Sequence, residues 1–456
     1  MDIKTNKDKV NDRTTIDNRN GKTAIIIGGS LSGLLTARVL SEYYAHITVV
    51  ERDDINDCPE TRKGQPQTSH AHALLCGGLY VLLRLFPGLR EELVASGAVF
   101  NDVGLAVRLY GPGGCRPQME SGLEIMFIGR PCLEWLIRRH VMRLPNVEFR
   151  TRQGVNRLLF NAAGDRVTGV ETATPGADGE GTCLRSDLVV DTSGRGSQLT
   201  RWLSDNGFAA PLESTVKVGI GYTTRLYVRK PGQLKDVDAI FAIPHAPDLR
   251  RMGILIPIEQ DRWMMTLAGY AGDHCPTDDE GIREFAKGLA GPGIYEMIDH
   301  LDPVTDPYCF QYAASVRRHY ENLDRFPEGL LAMGDSIASY NPIYGQGMSV
   351  AALQAEAMGE LLRGNPDANL WKSWFKRAAA IADVAWQISV GADSRFPEIQ
   401  QQTGRGGGLV NSYMNRLQRV CFKDKTVYLA FTRVQHLLAP PPTLLKPNIV
   451  WRVLRG

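Results

Sequence analysis

Apolar and polar positions first fall into a clear order between Lys22 and Asp53. Thr23 to Ile27 is a short β-branched run, the pattern of a strand buried on both faces of a parallel sheet. Leu31, Leu34, Leu35 and Val39 then recur at helical spacing, and Ile47 to Val50 reads as a second buried strand. Strand, glycine turn, helix and strand within about 30 residues predict a dinucleotide-binding βαβ unit.

Further along, residues 54–69 read as a polar loop, and from His70 the pattern turns helical through Leu74, Leu75, Tyr80, Leu82 and Leu83 until Pro87 ends it. Leu123–Ile128 is strand-like, and Cys132–Met142 is a helix led in by Arg130-Pro131, with proline in its first turn. Val147–Thr172 reads as a strand and a hairpin turning at Ala162–Asp165, and Leu188–Val190 as another buried strand. Between about 212 and 320 the texture changes to longer strands, near 216–228, 238–243, 252–258, 262–270 and 309–319. These predict a mixed sheet. We place a substrate domain at 212–308, with the first domain made of 21–211 and 309–365 and residues 101–128 lending to the substrate side. Leu330–Met333 is a further buried strand, and 366–456 is mostly helical, broken at Pro440–Pro442. Residues 1–20 hold almost nothing to bury and read as a disordered tail. The fold class is α/β: a Rossmann-like domain interleaved with a mixed β-sheet domain, followed by C-terminal helices.

Composition excludes more than it selects. A net charge of +2 gives no footprint for nucleic acid. No run approaches 18 uninterrupted apolar residues, so no transmembrane helix is expected. Eight scattered cysteines without a C-x-x-C pair suit reduced thiols and a cytoplasmic location. His70-x-His72 lacks nearby Cys, Asp or Glu partners, so no metal site is expected, and a cap or loop hydrogen bond suits the pair better.

The candidate chemistry lies at three strand ends. Gly28 makes the tight turn and Gly33 lets the helix approach the strand. Ser30 stands where the middle glycine of G-x-G-x-x-G is usual; its Cβ crowds a pyrophosphate while its hydroxyl can donate to one. The helix N-terminus favours the anion. Glu51, 23 residues after Gly28, can accept both ribose hydroxyls of an adenosine and would repel a 2′-phosphate. The resident nucleotide is therefore NAD-like or FAD-like. The second stretch is Asp191-Thr192-Ser193-Gly194-Arg195-Gly196-Ser197, and the third runs from Met333 to Met348. In the third, Asp335 ends a strand and can accept from polyol hydroxyls, and Gly347 and Met348 open a helix whose N–H groups can face an anionic ring edge.

Together these stretches resemble the class A flavin monooxygenases of the para-hydroxybenzoate hydroxylase type, matching in order at Gly28–Gly33 with Glu51, at Asp191–Ser197, and at Gly334-Asp335 with Pro342, Gly345 and Gly347. The run Arg62-Lys63-Gly64-Gln65-Pro66-Gln67-Thr68-Ser69-His70-Ala71-His72, together with Asp191–Ser197 and Asn341-Pro342-Ile343-Tyr344-Gly345, looks closer still to the flavin-dependent epoxidases of polyether biosynthesis, relatives of squalene epoxidase. The resemblance implies FAD held by Gly28, Ser30, Gly33, Glu51, Arg62, Lys63, Arg130, Asp335, Gly345, Gly347 and Met348, with Pro342, Tyr344 and Gly345 facing the flavin. It implies oxygen delivery from a flavin C4a-hydroperoxide to an electron-rich alkene or arene, with NADH, NADPH or a partner reductase supplying electrons. No catalytic side chain is then required. Ser193 departs from the Asp-Gly motif of many aromatic hydroxylases, which leaves the reductant open.

The expected partners are an apolar polyketide- or terpenoid-like substrate and O2, with Tyr222, Phe241, Trp263 and Met265 as candidate pocket residues. Peripheral membrane contact by the C-terminal helices is the lesser alternative to their packing over the two domains. Rival functions are a C=C reductase or dehydrogenase of the prenyl-reductase type and a non-catalytic flavin-binding protein. A halogenase is disfavoured, since no two tryptophans lie two apart to make W-x-W-x-I-P.

Overall fold

The computed structural model describes residues 21–173, 181–364, 369–399 and 408–456; the tail expected at 1–20 lies outside them. Five parallel strands form the first sheet, in the order Leu330–Ala332, Leu188–Asp191, Thr23–Ile27, His46–Val50, Val147–Arg150. Its central strands are buried along nearly their whole length, as the continuous β-branched runs require. Because all five run the same way, the residues after Ile27, Asp191 and Ala332 emerge along one edge. Helices Leu31–Leu40 and Gly347–Arg363 pack against each other, and Arg130–Met142 against the first of them. A three-stranded antiparallel unit, Gly154–Phe160, Val167–Ala173 and Thr182–Arg185, flanks this domain.

The second sheet has eight strands, centred on Glu213–Val228, Arg262–Gly269 and Arg251–Ile258. Val107–Gly111 and Gly114–Cys115 extend one edge by pairing through Ala239–Ala242. At the other end Tyr308–Arg318 pairs with Glu213–Val228, so the boundary drawn at 309 falls instead after 318. The reason is length: this 11-residue strand runs on until Val316 and Arg317 meet Ala338–Ser339, carrying the chain back to the first domain.

Alternation along the strands divides this sheet into two faces. Tyr227, Ile240, Leu255, Trp263, Met265 and Leu267 pack against helices Asp279–Lys287 and Gly293–Ile298. Leu226, Ile256 and Met264 face the other way, against Val103, Ile125 and Phe127. Tyr222 and Ala268 belong to the large core shared with the parallel sheet.

The helix expected from His70 begins only at Cys76. Residues 70–75 stay extended because their backbone donors are claimed elsewhere: Ala71 N–H donates to Thr266 Oγ1 at 3.1 Å and Leu75 N–H to Ser349 Oγ at 2.9 Å. Helix Leu370–Asp393 packs on Gly347–Arg363, and buried Trp374 Nε1–H donates to Ala332 O at 2.8 Å. Helices Gly408–Val420, Lys425–Gln435 and Pro447–Arg455 form their own core around Leu417, Val427, Tyr428 and Val453. They dock on both domains, Phe422 against Gly111 and Gly113, and His436 against Cys76. No described helix is long and apolar enough to cross a membrane.

Candidate functional site

The first strand leaves the sheet through Gly28, at φ +103°, whose N–H donates to Val50 O at 2.8 Å. A Cβ there would lie 2.9 Å from Thr192 O, and one on Gly33 would lie 1.9 Å from Gly28 O. Both positions demand glycine. Ser30 is the N-cap of the Leu31–Leu40 helix, yet its side chain makes no cap hydrogen bond, so the first-turn N–H groups are not closed off by it. Ser30 Oγ lies instead 3.1 Å from Glu134 Oε2.

Glu134 organises a buried ionic network that the sequence reading missed. It accepts from Arg62 Nη2 at 2.7 Å and from Arg130 Nη2 at 3.1 Å, and Arg62 Nη1 also lies 3.2 Å from Glu51. Burial alone would raise the Glu134 carboxyl, but Arg130 and Arg62 outweigh it and hold it below its ordinary value. Glu51 Oε2 accepts from Gly29 N–H at 2.7 Å, locking the second strand's end to the glycine turn. Lys63, beside Arg62, is exposed. The Arg130/Glu134 spacing of four on one helix was the available signal, but it reads equally as a surface pair.

The second and third stretches converge on this turn. Thr192 Oγ1 donates to Ile27 O at 2.8 Å, and Gly194 N–H donates to Ser336 Oγ at 3.0 Å. A Cβ on Gly334 would meet Ser32 Oγ at 2.5 Å. Asp335 lies against the start of the Gly347–Arg363 helix, 3.5 Å from where a Gly347 Cβ would stand. Crowding by protein pushes its carboxyl up to about 6, with Arg130, Arg195 and Arg318 pulling down. Its side chain is nonetheless exposed, and water reaching it favours the charged form, so Asp335 is a carboxylate at neutral pH.

Among the described residues, Ser32 Oγ, Arg130 Nε and both amide atoms of Gln346 are buried polar atoms without a hydrogen-bond partner. Orphans of this kind are rare in folded proteins. Their spread, from the first helix to the start of the Gly347–Arg363 helix, suits one elongated polar ligand that carries phosphates at one end and a hydrogen-bonding ring at the other.

Asn341–Gly345 forms the far wall. Asn341 Oδ1 accepts from Ile343 N–H at 3.2 Å and caps the short Pro342–Tyr344 turn, after which Gly345 adopts φ +63° against Ala73. Pro342 is exposed and Met348 buried. Close by, the rings of His70, Tyr222 and Phe310 cluster with centroids 5.8–6.4 Å apart. His70 Nδ1 is 2.8 Å from Thr224 Oγ1, which is 2.6 Å from Thr266 Oγ1. Burial lowers His70 to about 4, so the ring is neutral at pH 7. His72 Nδ1–H donates to His70 O at 2.8 Å, and burial together with the Arg130 charge lowers this ring to about 3.

The four candidate pocket residues do not come together. Tyr222 is in the ring cluster, and Phe241 is half-buried beside Ile254 on the same side of the sheet. Trp263 and Met265 lie on the opposite face in the helix-covered core, where Trp263 Nε1–H donates to Gln233 Oε1 at 2.8 Å. Thr224, Thr266 and Phe310, which sequence reasoning left unnamed, join Tyr222 in the cluster around His70.

No protein-family model matches the chain. Protein Rv3254 of Mycobacterium tuberculosis (strain ATCC 25618 / H37Rv) is 33% identical over 355 residues, covering 76% of this chain and 74% of that protein. The chain belongs to the family of Rv3254. Among solved structures, this family member resembles PqsL, a probable FAD-dependent monooxygenase from Pseudomonas aeruginosa, at 17% identity and TM-score 0.59, covering 90% of this chain and 99% of that one. The flavin-dependent brominase Bmp2 matches at 16% identity and TM-score 0.65 over 95% and 99% of the two chains. The p-nitrophenol 4-monooxygenase PnpA from Pseudomonas putida DLL-E4 matches at 17% and 0.62 over 91% and 99%. At such identities the likeness shows the fold, which is that of FAD-dependent monooxygenases and halogenases.

Proposed function

We propose that this protein is an FAD-dependent monooxygenase that epoxidises, or hydroxylates, an apolar alkene-bearing natural-product intermediate. The observation that carries the reading is the convergence of the Gly28–Gly33 turn, Asp191–Ser197 and Gly334–Met348 on one line of unpartnered polar atoms. Gly28, Ser30 and Gly33 would admit the pyrophosphate to the helix N-terminus, and Glu51 would take the adenosine ribose. Arg62 and Arg130 would neutralise phosphate charge, and Asp335 would accept from the ribityl hydroxyls. Lys63, exposed at the rim, would add only diffuse positive charge. Pro342, Tyr344 and Gly345 would face the flavin, with the N–H groups of Gly347 and Met348 toward the ring's polar edge.

Bound FAD would supply two-electron reduction and oxygen activation. The chain's own part is then to bind, orient and keep water out. Tyr222 and Phe310, with Phe241 further along, give an apolar wall for a substrate π-bond, and neutral His70 is held by Thr224 as a hydrogen-bonding group with no charge. Trp263 and Met265 support that wall from behind. Epoxidation is preferred over ring hydroxylation on the resemblance of residues 62–72, 191–197 and 341–345 together to polyether epoxidases.

The test is reconstitution with FAD, reduction with NADH, NADPH, dithionite or a partner reductase, and incubation with candidate polyenes under O2. A product heavier by one oxygen atom supports the proposal. A product differing by two hydrogens makes the protein a C=C reductase or dehydrogenase, and bound flavin with no turnover makes it a binding protein.

A further inference from the structure

The Leu370–Asp393 helix ends on a carboxyl that the cofactor reading leaves unused. Asp393 is fully buried. Its Oδ1 accepts from Tyr344 Oη–H at 2.7 Å, Tyr270 Oη–H at 2.8 Å and Asn341 Nδ2–H at 3.1 Å, with Asn341 also 3.3 Å from Oδ2. Asn341 Nδ2–H reaches Tyr270 Oη at 2.9 Å, and Tyr222 Oη–H reaches Asn341 Oδ1 at 3.4 Å. The Phe396 ring, 4.6 Å from that of Tyr270, closes the cluster.

Three parts of the chain therefore meet at one carboxyl, namely the helix end, the Asn341–Gly345 loop and the strand end at Tyr270, and the neighbouring strand joins through the bond from Tyr222 to Asn341. Among the described residues no cation lies within ion-pair distance of Asp393. Arg395, two residues on, bonds to Asn415 and Gln418 instead. The other titratable groups facing it, Tyr222, Tyr270 and Tyr344, are all driven well above their ordinary values by burial and so are neutral donors. A carboxyl buried without a counter-ion is an expensive way to dock a helix, since apolar packing does that better. What it does do is fix the side chains of Asn341 and Tyr344. Asn341 also caps its own turn, and Gly345 is pressed against Ala73, so the loop is clamped from both ends.

We propose that Asp393 is a positioning residue that acts through Asn341 and Tyr344 to hold the flavin-facing loop against the substrate-side sheet. The proposal rests on the flavin reading, and the two fail separately. If the wild-type chain takes up no FAD in a fluorescence titration, the flavin reading falls. Given FAD binding, Asp393→Asn is expected to keep FAD affinity within about tenfold while altering the bound flavin's visible band and fluorescence. In the FAD-free chain, amide hydrogen exchange across 341–348 should rise by about tenfold or more, with 23–27 and 188–191 unchanged. Tyr270→Phe, which removes one donor and no charge, should move the same readouts less and keeps the test available if Asp393→Asn fails to fold. Wild-type exchange and spectra in either folded variant overturn the proposal, as does a rise spread equally over both sheets.

Discussion

The Cβ that Gly33 lacks would stand 1.9 Å from the carbonyl oxygen of Gly28 and 2.9 Å from Thr192 Oγ1. One missing carbon thus lets the first helix, the first glycine turn and the second motif occupy the same few ångströms. Gly33→Ala is expected to cost on the order of 3 kcal/mol or more, because backbone, not a flexible side chain, must give way. It should also abolish FAD retention. Gly196 has nothing within 4 Å of an added Cβ, so Gly196→Ala should fall within about 0.5 kcal/mol of wild type. Urea midpoints of the two variants, with absorbance of the purified proteins, check both.

Glu134 sits between two guanidiniums, and removing its charge strands both in the interior. Glu134→Gln is expected to lose about 3–5 kcal/mol at neutral pH. Its folded-state value is depressed, so its stabilisation is complete above the unfolded-state value and is lost as pH falls through the folded one. The stability gap between wild type and Glu134→Gln should therefore narrow on acidification. Denaturation at neutral pH and at a pH well below the ordinary glutamate value measures it, and a gap constant across that span would mean that the charge is not what matters.

How much of this could be read from sequence depends on the range of the signal. The strands at 23–27, 46–50 and 188–191 were legible because a buried parallel strand writes its burial locally, in consecutive β-branched residues. The glycines were legible because turn geometry restricts them to one residue type. Residues 70–75 were misread as helix because their competing partners, Thr266 and Ser349, lie far along the chain. Glu134 and Asp393 both lie on helices, where a carboxylate normally faces water; only tertiary packing turns them inward. Trp263 and Met265 show a subtler limit. Strand alternation puts them on the face opposite Met264 and Thr266, but which face shares a side with Tyr222 is set by the pairing of Arg262–Gly269 with Glu213–Val228, which no local pattern records.

That register makes a prediction about Trp263. It fills the helix-covered core, and its indole N–H is satisfied by Gln233. Trp263→Ala should therefore cost about 3–5 kcal/mol by opening a cavity. It should leave the bound flavin's spectrum and the substrate range unchanged. Phe310→Ala, on the other face beside His70 and Tyr222, should do the reverse, with a smaller stability loss and a changed substrate profile. Paired thermal melts and product profiles separate the two, and a substrate change in the Trp263 variant would place the pocket on the wrong side of the sheet.

Asp393 gives the opposite pH lever to Glu134. Burial raises its carboxyl from 3.8 to about 6, with the bonds from Tyr344, Tyr270 and Asn341 opposing. A raised folded-state value means that the stabilisation is fully present below the unfolded-state value and is lost as pH climbs through about 6. A shift of this size corresponds to roughly 3 kcal/mol as an upper bound. Asp191, also buried and raised, contributes in the same direction, so the wild-type curve alone cannot isolate Asp393. Subtracting Asp393→Asn does, because the variant keeps every other group. Relative to wild type, Asp393→Asn should look less stable near pH 4 and gain as pH rises, the change spreading between the unfolded-state value and about 6 and levelling off above it. Urea denaturation of both proteins across that range measures the difference, and a flat line would show that the buried carboxyl does not titrate there. A protein that keeps an ionised carboxyl in its interior at neutral pH gives up stability to do so, and the Asn341–Gly345 loop is what that charge holds in place.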